Sequence, residues 1–104
     1  MAKIAIVTPQ GRLDAAGAPP LEAELNHHID AGEVHLLVNL EGTRYISSNG
    51  LRALLAAQKQ AKARGGALKL CCLNPRLIEI FEMSGFDKVF EIFESREQAE
   101  ESFG

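Results

Sequence analysis

Tyr45-Ile46-Ser47-Ser48-Asn49-Gly50-Leu51 separates two stretches of different periodicity. Before it, Val34-His35-Leu36-Leu37-Val38-Asn39-Leu40 is a near-continuous apolar run of strand length. A strand covered on both faces, in a parallel or mixed sheet packed with helices, reads this way. After it, Leu51, Leu54, Leu55, Gln58 and Ala61 recur at three- and four-residue spacing, predicting a helix from Ser48 or Asn49 to Arg64 that Gly65-Gly66 ends. The segment between is therefore read as a short polar loop leading from a buried strand into a helix. Ser47, Ser48 and Asn49 are all good N-cap types. Backbone N–H groups at a helix start are unpaired and the helix dipole is positive there. Such a loop suits an anion, including a phosphoryl group carried by its own serine.

Outward from this loop, strands and helices alternate. Ile4-Ala5-Ile6-Val7 is β-prone, and Gly11-Arg12-Leu13-Asp14 follows a turn at Pro9-Gln10. A helix is expected from near Pro20, with Leu21, Leu25, His28 and Ile29 on one face and Gly32 stopping it. Leu68 to Leu73 forms the next strand, and Asn74 caps a helix with Pro75 at its first position and Leu77, Ile78, Phe81 and Met83 on its apolar side. Val89 to Phe93 is a final strand, and Ser95-Arg96-Glu97-Gln98 has the capping-box pattern of a last, largely polar helix. This order predicts an α/β fold with right-handed crossovers. Strand-to-helix loops gather at one edge of such a sheet, which would bring Asp14 beside the serine loop.

The chain has 104 residues, one domain's worth, and carries a net charge of −3 with acids and bases interspersed. The absence of a basic stripe argues against direct nucleic acid binding. No apolar run approaches the roughly 18 residues of a membrane span. Cys71 and Cys72 are adjacent, and on a strand their side chains would point to opposite faces, so a disulfide between them is disfavoured and a reducing, cytoplasmic location is expected. His27 and His28 diverge by about 100° on a helix, and His35 lies in a strand, so the three do not form a metal set. Phosphate-loop and dinucleotide fingerprints are missing, as is the Gly-x-Ser-x-Gly nucleophile elbow. No cofactor is implied, and an enzyme is the least favoured class.

Taken together, the motifs resemble those of a STAS domain, the fold of bacterial anti-sigma factor antagonists, over nearly the whole chain. Gly11-Arg12-Leu13-Asp14-Ala15 resembles the turn before the family's first helix. Tyr45 to Leu51 resembles its phosphorylation loop. Ala63-Arg64-Gly65-Gly66, Asn74-Pro75 and Met83-Ser84-Gly85-Phe86 resemble the borders of its later helices. The resemblance implies a single STAS-like domain over residues 1–104, with a mixed β-sheet of four to five strands and about four helices. It implies a partner switch, in which a kinase-like anti-sigma factor binds the unmodified domain and phosphorylates a loop serine, and a phosphatase resets it. Aligned on Gly50-Leu51, Ser48 takes the phosphoacceptor position. Asp14, Ser47, Asn49, Gly50 and Leu51 form the surrounding partner-binding loop.

Two departures stand out. Ser47 falls where many members carry aspartate, which removes a charge beside the acceptor. The chain also begins almost directly at Ile4, whereas members usually have an earlier strand. An uncovered sheet edge or a homodimer is expected in consequence. Residue types alone read Ser48 as an N-cap and Asp14 as a turn residue or helix cap. The other reading for the domain is a binding module in a transporter-associated or stress-sensing complex, without phosphorylation.

Overall fold

The computed structural model describes residues 3–104. The elements in order are β1 (Ile4–Val7), β2 (Gly11–Leu13), α1 (Ala18–Asp30), β3 (His35–Asn39), β4 (Thr43–Ile46) and α2 (Ser48–Ala63). They continue with β5 (Ala67–Cys71), α3 (Pro75–Ser84), a short 3₁₀ turn (Phe86–Lys88), β6 (Ile92–Phe93) and α4 (Arg96–Ser102). The main sheet has four strands in the order β1-β3-β5-β6, and β2 and β4 form a separate two-stranded ladder. The α/β class and the four helices are as expected. The sheet differs from the mixed one expected: every pairing among the described residues is parallel. β1 has no partner on its outer side among those residues.

β3 explains why its sequence is apolar throughout. Leu36, Val38 and Leu40 face the main core with Ala5, Val7, Leu68 and Leu70, under Leu21, Leu25 and Ile29 of α1 and Leu51, Leu54 and Ala61 of α2. Leu37 faces the opposite side, where α4 brings Ala99 against it and Cys71. Each fully buried leucine of this kind contributes about 1.5–3 kcal/mol relative to leaving it in water. That second face also holds Lys69, only 7 % exposed. Its ammonium donates to the Ser102 carbonyl at 3.0 Å and to Ser102 Oγ at 2.9 Å, and lies 4.5 Å from the centre of the Phe103 ring. A buried ammonium left without such partners would be costly. Lys69 thereby fastens the end of α4 to the sheet.

Four local differences from the sequence reading have physical causes. β4 occupies residues assigned to loop, because Thr43 and Ile46 turn inward and the strand pairs with β2. The final strand is two residues rather than five, since Val89 and Phe90 donate back to the Phe86 carbonyl and Phe90 packs edge-on against Phe81 and Phe86. Met83 is 82 % exposed and Ile78 42 % exposed, so of the four apolar residues expected to face inward α3 buries only Leu77 and Phe81. Cys72 has φ +67°, a conformation rare outside glycine, at the point where β5 ends. That twist breaks the alternation, and both cysteines pack on the α4 side as free thiols rather than on opposite faces. Burial pushes the Cys71 thiol up to about 12.

Candidate functional site

The β2–β4 ladder builds the site. Leu13 pairs with Ile46, so the strands end side by side and release Asp14 and Ser47 together. The Leu13 carbonyl accepts from the Ser47 N–H at 3.0 Å and from Ser47 Oγ at 3.2 Å. Ser47 Oγ in turn accepts from the Asn49 N–H at 3.2 Å, which makes Ser47 the N-cap of α2. The cap role open to Ser48 therefore belongs to its neighbour. Ser48 is the first residue of the helix, is exposed, and makes no side-chain hydrogen bond among the described residues. We expect Ser47→Ala to cost about 1 kcal/mol, as N-cap losses do, and Ser48→Ala to stay within about 0.5 kcal/mol of wild type. Urea titration of both variants reads the difference.

Gly50 and Leu51 hold the helix start against the ladder. A Cβ at Gly50 would stand 2.6 Å from Ile46 Cγ1 and from the Leu13 carbonyl oxygen, so only glycine lets α2 approach this closely. Leu51 is buried in the main core. Asn49 is exposed, and its side-chain oxygen accepts from Arg52 at 3.0 Å. Asn49 and Arg52 also line a groove of about 360 Å³ between the first turns of α1 and α2, opposite Ala18, Pro19 and Glu22.

Asp14 behaves as the turn residue anticipated. Its carboxylate accepts from the Gly17 N–H at 3.0 Å and the Ala16 N–H at 3.1 Å, and Arg12 lies 3.5 Å away. These bonds, the one to Gly17 foremost, hold its pKa below the ordinary value. The resulting stabilisation is fully present above about pH 4 and fades as pH falls through the lowered native value. Asp14→Asn keeps both acceptor bonds but loses this titration. Its stability is expected to fall less steeply with acid than wild type, as followed by thermal unfolding at stepwise lower pH. Glu33, lowered chiefly by the His28 hydrogen bond, retains its share of the slope.

The ladder also assembles residues that spacing did not single out. Arg12 and Tyr45 are register partners, and the Arg12 guanidinium sits 4.4 Å from the centre of the Tyr45 ring. Arg76, in the first turn of α3, lies 5.5 Å from the same ring. Asn74 places it there: its side-chain oxygen caps α3 through the Leu77 N–H at 2.8 Å, while its amide donates to the Thr43 carbonyl at 3.2 Å. The only sequence signal was a lone tyrosine beside the serine loop.

The histidines lie elsewhere. His27 and His28 are in the last turn of α1, whose first turn faces the groove, about 14 Å away along the axis. His28 bonds Glu33 at 2.7 Å and His35 packs edge-on to Phe103. No His, Cys, Asp or Glu cluster suited to a metal occurs among the described residues, nor a helix long and apolar enough to cross a membrane.

Comparison with known proteins matches residues 2–99 to the STAS domain family. A curated relative, the "Putative anti-sigma factor antagonist BtrV" of Bordetella bronchiseptica, is 44% identical over 94 residues, covering 90% of this chain and 81% of that protein. The anti-sigma-B factor antagonist of Bacillus subtilis is 33% identical over 82 residues, 79% of this chain and 74% of that one. Among solved structures, an anti-sigma factor antagonist from Mycobacterium paratuberculosis superposes with a TM-score of 0.86 at 21% identity, covering 96% and 85% of the two chains. The phosphorylated form of the Bacillus cell fate determinant SpoIIAA superposes at 0.74 with 19% identity, covering 98% and 92%.

Proposed function

This chain belongs to the STAS domain family, and from that premise we propose that it is a non-catalytic, partner-switching anti-sigma factor antagonist controlled at Ser48. The unmodified protein binds a kinase-like anti-sigma factor. That partner phosphorylates Ser48 and the complex separates, and a phosphatase restores the binding form. The cytoplasm is the compartment this role requires.

One observation carries the reading. Capping is done by Ser47, which leaves Ser48 exposed on the first turn of α2 with no side-chain hydrogen bond among the described residues. A modifying enzyme can reach it without unfolding the helix. A phosphoryl group there adds about −1.5 to −2 charges beside the positive end of a helix, so the modified domain stays folded. The changed property is the surface, because a partner that covers the loop must then desolvate a dianion. A hydrolase role lacks its base, since no histidine stands near the Ser48 loop.

The test recovers the tagged wild-type protein from lysate of its own source cells and maps its phosphosites and its bound proteins by mass spectrometry. Phosphate on Ser48, absent in Ser48→Ala, together with a kinase-like anti-sigma protein retained by the unmodified form, is the expected result. A stable transport or sensor subunit with Ser48 unmodified would replace the switch with a constitutive binding module.

A further inference from the structure

We propose that Tyr45, flanked by Arg12 and Arg76, is a docking seat for an acidic segment of the protein partner, continuous with the Ser48 loop. The identity of that partner rests on the reading above; the seat rests on its own geometry. The two guanidinium groups lie 4.4 Å and 5.5 Å from the centre of one ring. The three residues come from β2, β4 and α3, so the seat exists only in the folded chain. Tyr45 is half-buried and both arginines are exposed.

These cations are not used up internally. Arg76 has no ion pair among the described residues. Arg12 meets Asp14 Oδ2 at 3.5 Å with both side chains open to solvent, a surface pair of the kind that is worth little and leaves the guanidinium open to a partner. The arrangement fits carboxylates well. A guanidinium presents a planar fork that grips a carboxylate through two parallel bonds. Two such forks resting against one ring are partly ordered beforehand and lose less freedom on binding. Tyrosine and arginine are the side chains that most often anchor protein interfaces, and cation–π attraction strengthens once a partner excludes water. A polyanionic nucleic acid is a poorer fit, because the chain carries a net charge of −3 and no basic stripe extends the patch.

The position gives the seat a part in regulation. Tyr45 precedes the cap Ser47 by two residues and Ser48 by three. An acidic segment lying on Tyr45 would be pushed away by a dianion at Ser48, so repulsion adds to the desolvation cost already described.

The test titrates the whole ¹⁵N-labelled protein with a blocked hexapeptide of alternating aspartate and glutamate, followed by NMR. It needs neither kinase nor phosphorylation, so its outcome is independent of whether Ser48 is a switch. Saturable shifts confined to Arg12, Tyr45, Arg76 and their neighbours are expected, with affinity reduced about tenfold by Arg76→Glu. Tyr45→Ala should weaken binding comparably, while Tyr45→Phe, which keeps the ring, should retain it. An absence of saturable shifts, or binding unchanged in Arg76→Glu, would overturn the proposal. An equal response to inorganic phosphate or to a single-stranded oligonucleotide would overturn it too, by reducing the seat to a general anion site.

Discussion

Ser48→Asp is expected to weaken binding of the kinase-like anti-sigma factor about a hundredfold while leaving the unfolding temperature unchanged or a few degrees higher. The two halves of this expectation have separate origins. In the free protein the new carboxylate stands at the first position of α2, exposed and clear of the Ser47 cap. Negative charge near a helix start is stabilising by about 0.3–1 kcal/mol, so the fold gains slightly if anything. In the complex the same charge must leave water. A hundredfold change corresponds to about 2.7 kcal/mol, within the roughly 2–5 kcal/mol for leaving a charge unpaired in an interface. Phosphoserine, with up to twice the charge, should exceed it. Calorimetric titration of the partner and differential scanning of the free variant separate the halves. A weakened complex with a lowered unfolding temperature would mean that aspartate disturbs the loop rather than the interface. Binding unchanged from wild type would remove Ser48 from the partner surface.

Gly50→Val should produce the largest loss of stability of any substitution in the site, about 3 kcal/mol, near the top of the usual range for overpacking. A Cβ there meets Ile46 Cγ1 and the Leu13 carbonyl at 2.6 Å and Leu13 Cβ at 3.0 Å. Ile46 and Leu13 are each 1 % exposed and have no free space to retreat into. The carbonyl that would have to move is the one accepting both bonds from Ser47, so the cap is strained along with the packing. Gly50→Ala introduces the same contact but recovers about 1 kcal/mol of helix propensity, so its net loss should be smaller. Gly85 is the useful contrast. Nothing lies within 4 Å of a Cβ there, but its φ of +78° is the left-handed cap of α3. Gly85→Ala should cost about 1 kcal/mol through backbone conformation alone. Urea unfolding of the three variants should rank them in that order. A Gly50→Val protein as stable as wild type would show that α2 can lift off the ladder without penalty.

What could be read from the chain was its local order. The apolar β3, the stripe of α2, the Asn74-Pro75 start of α3 and the Ser95 cap of α4 are each specified by neighbouring residues. What could not be read depends on partners distant in sequence. Thr43 to Ile46 carries too little alternation to announce a strand; it becomes one by pairing with Gly11 to Leu13. That pairing, rather than a shared edge of the main sheet, brings Asp14 and Ser47 together. Three cap-forming residues in a row left the Ser47–Ser48 division undecided, and the Leu13 carbonyl, 34 positions away, decides it. The Arg12–Tyr45–Arg76 cluster draws on three separate elements and leaves no spacing pattern at all.

The clasp between Lys69 and Ser102 bears on how the molecule is assembled during synthesis. The sheet and its main core can form as soon as β6 has emerged, because α1, α2 and α3 all precede it. The second face cannot, since α4 is the last of the described elements to leave the ribosome. In that interval Leu37 and Cys71 lie uncovered, and the Lys69 ammonium keeps its water in place of Ser102. A lysine in the middle of a temporarily naked apolar sheet face is an unattractive surface for another nascent chain to stack on. The residue that fastens the finished domain thus also guards the unfinished one, and replacing it with methionine should show first as aggregation during expression.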